Sequence, residues 1–184
     1  SGEPTAGVFG FTSVLLRLLE QERPEYLIVV FDTGRTFRDD LYSEYKATRE
    51  KMPDDLVTQI ERVRQMVDAF NIPRVEVEGY EADDVIGTLA KKAEEEGFTT
   101  YMMTPDKDYA QLVSDHIYMY KPGKSGSDNE IWGISEVKEN FGIENPLQVI
   151  DILGLMGDAS DNIPGCPGIG PKTAEKLIAD FGSI

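Results

Sequence analysis

Strand-like and helix-like segments take turns along this chain, and that alternation restricts its fold more than any other feature. Tyr26 to Phe31 is an unbroken apolar, β-rich run ending at Asp32, the pattern of a strand covered on both faces. Ahead of it, Val8, Phe11, Leu15, Leu18 and Leu19 keep to one helical face until Pro24. After it, Leu56, Ile60, Val63, Met66 and Phe70 recur at helical spacing between Pro53 and the Asn71-Ile72-Pro73 stop. The pattern then predicts a short strand over Arg74 to Val77, a helix from about Ala82 to Glu96 closed by Gly97, and a strand over Thr99 to Thr104. Another short helix and a strand around Ile117 to Tyr120 follow. Strands separated by helices pair in parallel, so the expected fold is α/β, with a mainly parallel central sheet flanked by helices.

Lys121 to Glu130, rich in Gly, Ser, Lys and Asp, reads as an exposed loop or hairpin tip, and no strand is expected beyond it. Asn145-Pro146 opens an apolar helix that runs up to Gly157. A turn cluster from Asn162 to Gly170 leads into a last helix from about Pro171 to Phe181, with Gly182 as its stop. The expected organisation is one domain over 1–184, with an α/β part over 1–132 and a helical part over 133–184. Met102 and Met103 are expected in the core, and His116, Cys166 and Trp132 are read as structural because each lacks a chemical partner.

Charge narrows the chemistry. Eighteen Lys and Arg stand against 34 Asp and Glu, a formal net charge of −16, so a body that grips nucleic acid by bulk positive charge is excluded. Any polyanion must bind at a local patch. No apolar run approaches the roughly 18 residues of a membrane span and no signal-peptide pattern opens the chain, so it is expected to be a cytoplasmic protein. A single cysteine rules out an internal disulfide and a cysteine zinc site, and a single histidine leaves no nucleophilic triad. What remains is carboxylate chemistry.

The carboxylates sit where such chemistry is expected. In an open parallel sheet, ligands bind beyond the carboxyl ends of the strands. Asp32 ends the first strand, Glu81, Asp83 and Asp84 follow the second, Asp106 and Asp108 follow the third, and Asp158 and Asp161 join from the helical part. Any one of them alone is more readily a helix cap. Together they would repel unless cations held them, and oxygen ligands without His or Cys select Mg²⁺, Mn²⁺ or Ca²⁺. An EF-hand does not fit, because Gln111 stands where that loop needs glycine.

Two further segments suit a phosphate backbone. Gly165 to Thr173 (GCPGIGPKT) pairs a glycine turn with a helix N-terminus and could hold a duplex backbone without reading sequence. A dinucleotide fingerprint is disfavoured there, since Thr173 takes the place of the third glycine and the turn follows a helix. Gly123-Lys124-Ser125 lacks the upstream glycine of a P-loop and is read as loop. Between Thr33 and Met52, Arg35, Arg38, Lys46, Arg49 and Lys51 alternate with Phe37, Tyr42 and Tyr45, a near-neutral stretch in an acidic chain that suits a single strand or a phosphate beside the metals.

Phe31-Asp32, YSEYKATR from Tyr42, GYEADD from Gly79, TPDKD from Thr104, GDASDN from Gly157 and GIGPKTA from Gly168 resemble, in that order, the flap endonuclease family, and within it the 5′ to 3′ exonuclease domain of bacterial DNA polymerase I. The resemblance implies a PIN-like 5′ nuclease fold and two-metal hydrolysis of DNA at 5′ flaps or free 5′ ends in replication and repair, with Mg²⁺ or Mn²⁺. It implies that Asp32, Glu81 and Asp83 hold one ion, and Asp106, Asp108 and Asp161 the other, with Asp84 and Asp158 in support. A helical arch over 33–52 would bring Arg38 and Tyr45 to the DNA, and Lys46 and Arg49 to the scissile phosphate. A helix-hairpin-helix at Gly168, Gly170, Lys172 and Thr173 would hold the duplex backbone and a K⁺ ion. Fusion to a polymerase, no membrane partner, and a further strand with another metal-binding aspartate ahead of Val8 are also implied, as are further helices after Ile184. On that expectation the 184-residue chain binds flaps but cleaves weakly, and the alternative is a DNA-binding module derived from such a nuclease. An acidic divalent-ion binder with no nucleic-acid role is the third reading, against which GIGPKTA and the 33–52 cations speak.

Overall fold

A computed structural model of the chain describes residues 2–123 and 129–184. They form two compact units, Ser1–Thr36 with Arg49–Ala82, and Phe37–Thr48 with Asp83–Ile184.

In the first unit, α1 (Ala6–Gln21) packs on α3 (Asp54–Ala69). Leu15 of α1 and Val63 and Val67 of α3 are buried, on the apolar faces that the helical spacing marks. The Gly7 amide donates to Gln59 Oε1 at 2.6 Å, which satisfies a buried amide side chain. Asp54 and Asp55 lie in the first turn of α3, where the helix dipole favours acids. β1 (Val29–Val30) pairs in parallel with β2 (Arg74–Val75), and an isolated parallel bridge from Thr36 to Gly79 follows.

The expected strand over Tyr26 to Phe31 is therefore shorter than its composition suggests. Tyr26 is 74% exposed and Ile28 44%. The cause is pairing: among the described residues β1 has one neighbour, and that ladder is two residues long. Arg64 lies over the Phe31 ring at 5.1 Å and donates to Glu76 Oε1 at 3.1 Å. Burial works to raise the Glu76 carboxyl, but hydrogen bonds from Arg74 and Arg64 outweigh it and hold that group below the usual carboxylate range.

In the second unit, β3 (Thr100–Met103) pairs in parallel with β4 (Ile117–Lys121), and β5 (Glu130–Trp132) returns antiparallel on β4. α4 (Ala82–Glu95), whose first residue still belongs to the first unit, precedes β3, and a 3₁₀ turn (Lys107–Leu112) joins β3 to β4. α2 (Phe37–Leu41) belongs to this unit, as do α5 (Ile134–Phe141), α6 (Gln148–Met156) and α7 (Pro171–Phe181). A tight hairpin, β6 (Gly157–Asp158) with β7 (Ile163–Pro164), sits between α6 and α7. Its core gathers Met102, Tyr109, Ile117, Met119, Val137, Val149, Ile152 and Ile178.

Strands thus continue past residue 130, against expectation. β5 forms because Ile131 and Trp132 extend the ladder of β4, and β6–β7 because Gly157 and Gly165 let two backbone segments meet. The interior of the Lys121 to Glu130 loop, with Lys124 and Ser125 of the rejected P-loop, lies outside the described residues. Met103 is 39% exposed while Met102 is buried, because neighbouring side chains of a strand point to opposite faces. α5 was not foreseen; Ile134, Val137 and Phe141 carry its apolar face, and Glu136 closes it by accepting the Gly133 amide at 2.8 Å. Ile117 is fully buried on β4, so Ile117→Ala should cost about 2 to 5 kcal/mol, read as a lowered midpoint in urea unfolding with an unchanged slope. Among the described residues no helix is long and apolar enough to cross a membrane.

Candidate metal centre

Asp32 follows β1 in the first unit, and its Oδ1 accepts the Ala82 amide, the first of α4, at 2.7 Å. This is a helix-capping contact that also fixes the carboxylate in space. Glu81 of the same unit is buried.

The other acidic candidates belong to the second unit. Asp83 and Asp84 occupy the first turn of α4. The Tyr109 hydroxyl donates to Asp83 Oδ1 at 2.6 Å, and Tyr109 is itself buried on the 3₁₀ turn. Arg38 holds both oxygens of Asp84, at 2.6 and 2.7 Å. Asp106 caps the 3₁₀ turn by accepting the Asp108 amide at 3.0 Å. Asp158 and Asp161 come from the β6–β7 hairpin; Asp158 Oδ1 accepts the amides of Ser160 and Asp161 at 2.8 and 3.3 Å. Lys107 Nζ reaches Asp158 Oδ2 at 2.7 Å, and Lys46 Nζ lies 4.0 Å from Asp161 Oδ2.

The electrostatics single out Asp108. Its Oδ1 is buried and, among the described residues, has no hydrogen-bond partner. Burial pushes its carboxyl above the ordinary range, Asp106 adds to the rise, Lys107 opposes it, and Asp158 and Asp161 push the same way. Asp158 moves in the other direction, held far below its ordinary value by the Lys107 ammonium and the Ser160 hydroxyl. Asp158 in turn raises Lys107. Among the described residues no three acidic, histidine or cysteine groups are drawn together as a finished metal cage; Lys107 lies against Asp158, and Lys46 near Asp161. The donor chemistry nevertheless fits a hard divalent cation. The candidate donors are all oxygen, and the orphaned oxygen of Asp108 is a buried acceptor that a cation would satisfy.

The stretch after Thr36 is not an ordinary exposed helix. α2 is short, and turns follow it to Thr48. The Lys46 amide donates to the Asp161 carbonyl at 2.9 Å, the Tyr45 hydroxyl to Asp161 Oδ2 at 3.2 Å, and the Tyr42 hydroxyl to the Asn162 carbonyl at 3.2 Å. Tyr45 is buried. Arg49 falls in the first unit.

At the other candidate segment, Gly168 has φ +80° and Gly170 caps α7, with Pro171 in its first turn. The amides of Thr173 and Ala174 both donate to the Gly170 carbonyl at 3.0 Å, and Pro171 has no amide hydrogen. The Lys172 side chain is left as the main cationic feature of an exposed turn. Tyr109 and Lys107 were missed as site residues. Lys107 lies between two aspartates in the sequence and could have been noticed; Tyr109 reads as an ordinary core aromatic until the fold brings it to Asp83.

Residues 1–142 match the family model described as the 5′-3′ exonuclease, N-terminal resolvase-like domain, and residues 144–184 match the 5′-3′ exonuclease, C-terminal SAM fold. DNA polymerase I of Chloroflexus aurantiacus is 48% identical over 185 aligned residues, spanning all of this chain and 20% of that protein. A 5′-3′ exonuclease of Aquifex aeolicus is 41% identical over 184 residues, all of this chain and 62% of its own length. The chain thus spans about a fifth of the polymerase relative and under two thirds of the exonuclease. Among solved structures, the flap endonuclease of bacteriophage T5, in complex with DNA and metal ions, superposes with a TM-score of 0.79 at 22% identity, over 100% of this chain and 70% of its own. That likeness establishes the PIN-like α/β fold of 5′ nucleases. With both family models in sequence order and together spanning nearly every residue, this chain belongs to the 5′-3′ exonuclease family.

Proposed function

We propose that this chain is the nuclease module of a structure-specific 5′ nuclease that hydrolyses phosphodiesters of DNA at 5′ flaps or 5′ ends, in replication and repair, as part of a longer protein that carries a DNA polymerase. The observation that carries this reading is Asp108, whose buried, unpartnered oxygen stands in the field of Asp106, Asp158 and Asp161. A carboxylate so placed is costly unless a cation joins it. Family membership and the metal ions and DNA bound by the T5 relative support the same reading.

The proposed ligands are Asp32, Glu81 and Asp83 for one ion and Asp106, Asp108 and Asp161 for a second, with Asp158 beside them. Two Mg²⁺ or Mn²⁺ ions, when bound, would polarise the scissile phosphate and make water acidic enough to supply the nucleophile. The chain's own residues do the rest. Tyr109 and the α4 N-terminus orient Asp83 and Asp32 through the hydrogen bonds described above. Lys46 and Arg49 stabilise the charge that develops on the phosphate, and Tyr45 orients that segment beside it. Gly168, Gly170, Lys172 and Thr173 hold the duplex backbone without reading its sequence, with a K⁺ ion at the turn.

Cleavage of a 5′-flap duplex with Mg²⁺ or Mn²⁺, set against binding in Ca²⁺, tests the reading. EDTA should abolish cleavage and weaken flap binding, because an unneutralised acidic cluster repels phosphate. Lys46→Ala should slow cleavage by about 10² while leaving flap affinity nearly unchanged, and Lys172→Ala should do the reverse. No cleavage by the full-length protein with any divalent ion, or flap affinity indifferent to EDTA at low salt, would defeat it.

A further inference from the structure

Resting on the nuclease reading, we propose that Arg38 and Asp84 are a positioning pair that sets the 37–48 segment, and with it Lys46, rather than a DNA contact and a metal ligand. The guanidinium of Arg38 meets Asp84 as a parallel fork, Nη1 to Oδ2 at 2.6 Å and Nη2 to Oδ1 at 2.7 Å. Both oxygens are engaged by one planar group, the most geometrically specific ion pair available to side chains. The two side chains are 32% and 24% exposed, so water screens the pair only partly. Asp84's neighbour Asp83 is held by Tyr109 instead. Adjacent aspartates in one helical turn thus each make a hydrogen bond to a different element.

The pair is the near end of a two-point attachment. At the far end, the Lys46 amide and the Tyr45 hydroxyl donate to Asp161, the Tyr42 hydroxyl to the Asn162 carbonyl, and Asn162 Nδ2 to the Glu44 carbonyl at 2.7 Å. Lys46 and Asn162 both adopt left-handed backbone, φ +55° and +58°, which sets the local course of the chain in each of the two turns. Arg38 thus ties the segment to α4 and residues 42–46 tie it to the β6–β7 hairpin. Lys46 is placed beside Asp161 by both attachments at once. A cationic group that must meet a phosphate within a fraction of an ångström needs such support.

The test is a double-mutant cycle in the full-length protein with Arg38→Ala, Asp84→Ala and the two combined. Flap cleavage, Mn²⁺ binding by calorimetry and the rate of tryptic cutting at Lys46 are measured for each. Each single change should lower kcat by roughly 10-fold, leave KM and Mn²⁺ affinity within about twofold, and speed cutting at Lys46. The double variant should be no worse than either single one. Arg38→Lys should behave like Arg38→Ala, since an ammonium cannot make the fork, and the exchange Arg38→Asp with Asp84→Arg should restore part of the lost rate. The proposal is overturned if Asp84→Ala weakens Mn²⁺ binding tenfold or more while Arg38→Ala does not, if Arg38→Ala raises KM alone, or if the two effects add. Wild-type protein that fails to cleave would remove the nuclease reading, and the tryptic rates alone would then decide whether the two residues act as one attachment.

Discussion

Asp108→Asn should raise the melting temperature of the metal-free chain and cut the proposed cleavage of DNA by at least about 10². The two effects have one cause. A folded-state carboxyl pushed above its ordinary value marks an ionised form that folding disfavours. Its destabilising contribution is complete only above the folded-state value and vanishes as pH falls below the unfolded one. Asparagine removes that penalty, so the gain in stability should be largest near pH 7 and shrink through the carboxylate range. The same change takes away a donor that a divalent ion needs. Adding Mn²⁺ should therefore stabilise the wild-type chain and not the variant, and cleavage should fall by at least about 10². Thermal unfolding at several pH values, with and without Mn²⁺, reads all of this. A variant that melts lower than wild type without metal, or responds to Mn²⁺ as wild type does, would show that Asp108 is held by something other than electrostatic need.

Gly157→Ala should have the larger effect on folding. Gly157 has φ +71° and ψ −179°, a region open in practice only to glycine. A Cβ built there would lie 2.2 Å from the Gly165 amide nitrogen and 2.5 Å from the Ile163 carbonyl oxygen. Those atoms are backbone of β7 and of the residue that follows it, and cannot swing aside. The combined strain and overlap should cost about 3 kcal/mol or more, seen as a drop in the urea midpoint. Because the hairpin carries Asp158 and Asp161, cleavage should be lost even where the variant remains folded. Gly165→Ala meets the Met156 carbonyl at 2.2 Å and should behave alike, whereas alanine at Gly10, inside α1 with open space around it, should stabilise by up to about 1 kcal/mol.

The long helices were legible because their apolar spacing is local information. The last helix, read as Pro171 to Phe181, has those bounds, since Pro at its start and Gly after its end are signals carried by adjacent residues. Strand length was less legible. The Tyr26 to Phe31 run has strand composition throughout, but pairing is decided by how long the neighbour is, and β2 offers two residues. For the candidate site, residue type and order in the chain pointed to the acids, and the hydrogen-bonded company they keep did not show. Nothing near Asp84 in sequence reveals that Arg38 engages it across 46 positions, nor does anything near Asp161 point to Tyr45. Such contacts are made by tertiary closure, and their partners become visible only in the folded chain.

The separation of those partners also orders the events of biosynthesis. The first unit is interrupted by the 37–48 segment, whose contacts at Tyr42 and Tyr45 lie 120 and 116 residues further along the chain. A ribosome delivers α1 and α3 early, and these can pair as soon as both have emerged, whereas Tyr42 through Lys46 must wait until the hairpin after α6 is complete. Closing so long a loop is slow compared with local helix pairing. During translation the stretch bearing Lys46 therefore cannot take up its contacts with Asp161 and Asn162 until the hairpin has emerged. The apparatus proposed to act on the phosphate is in this way among the last parts of the module to reach its place, after the surrounding framework has begun to fold.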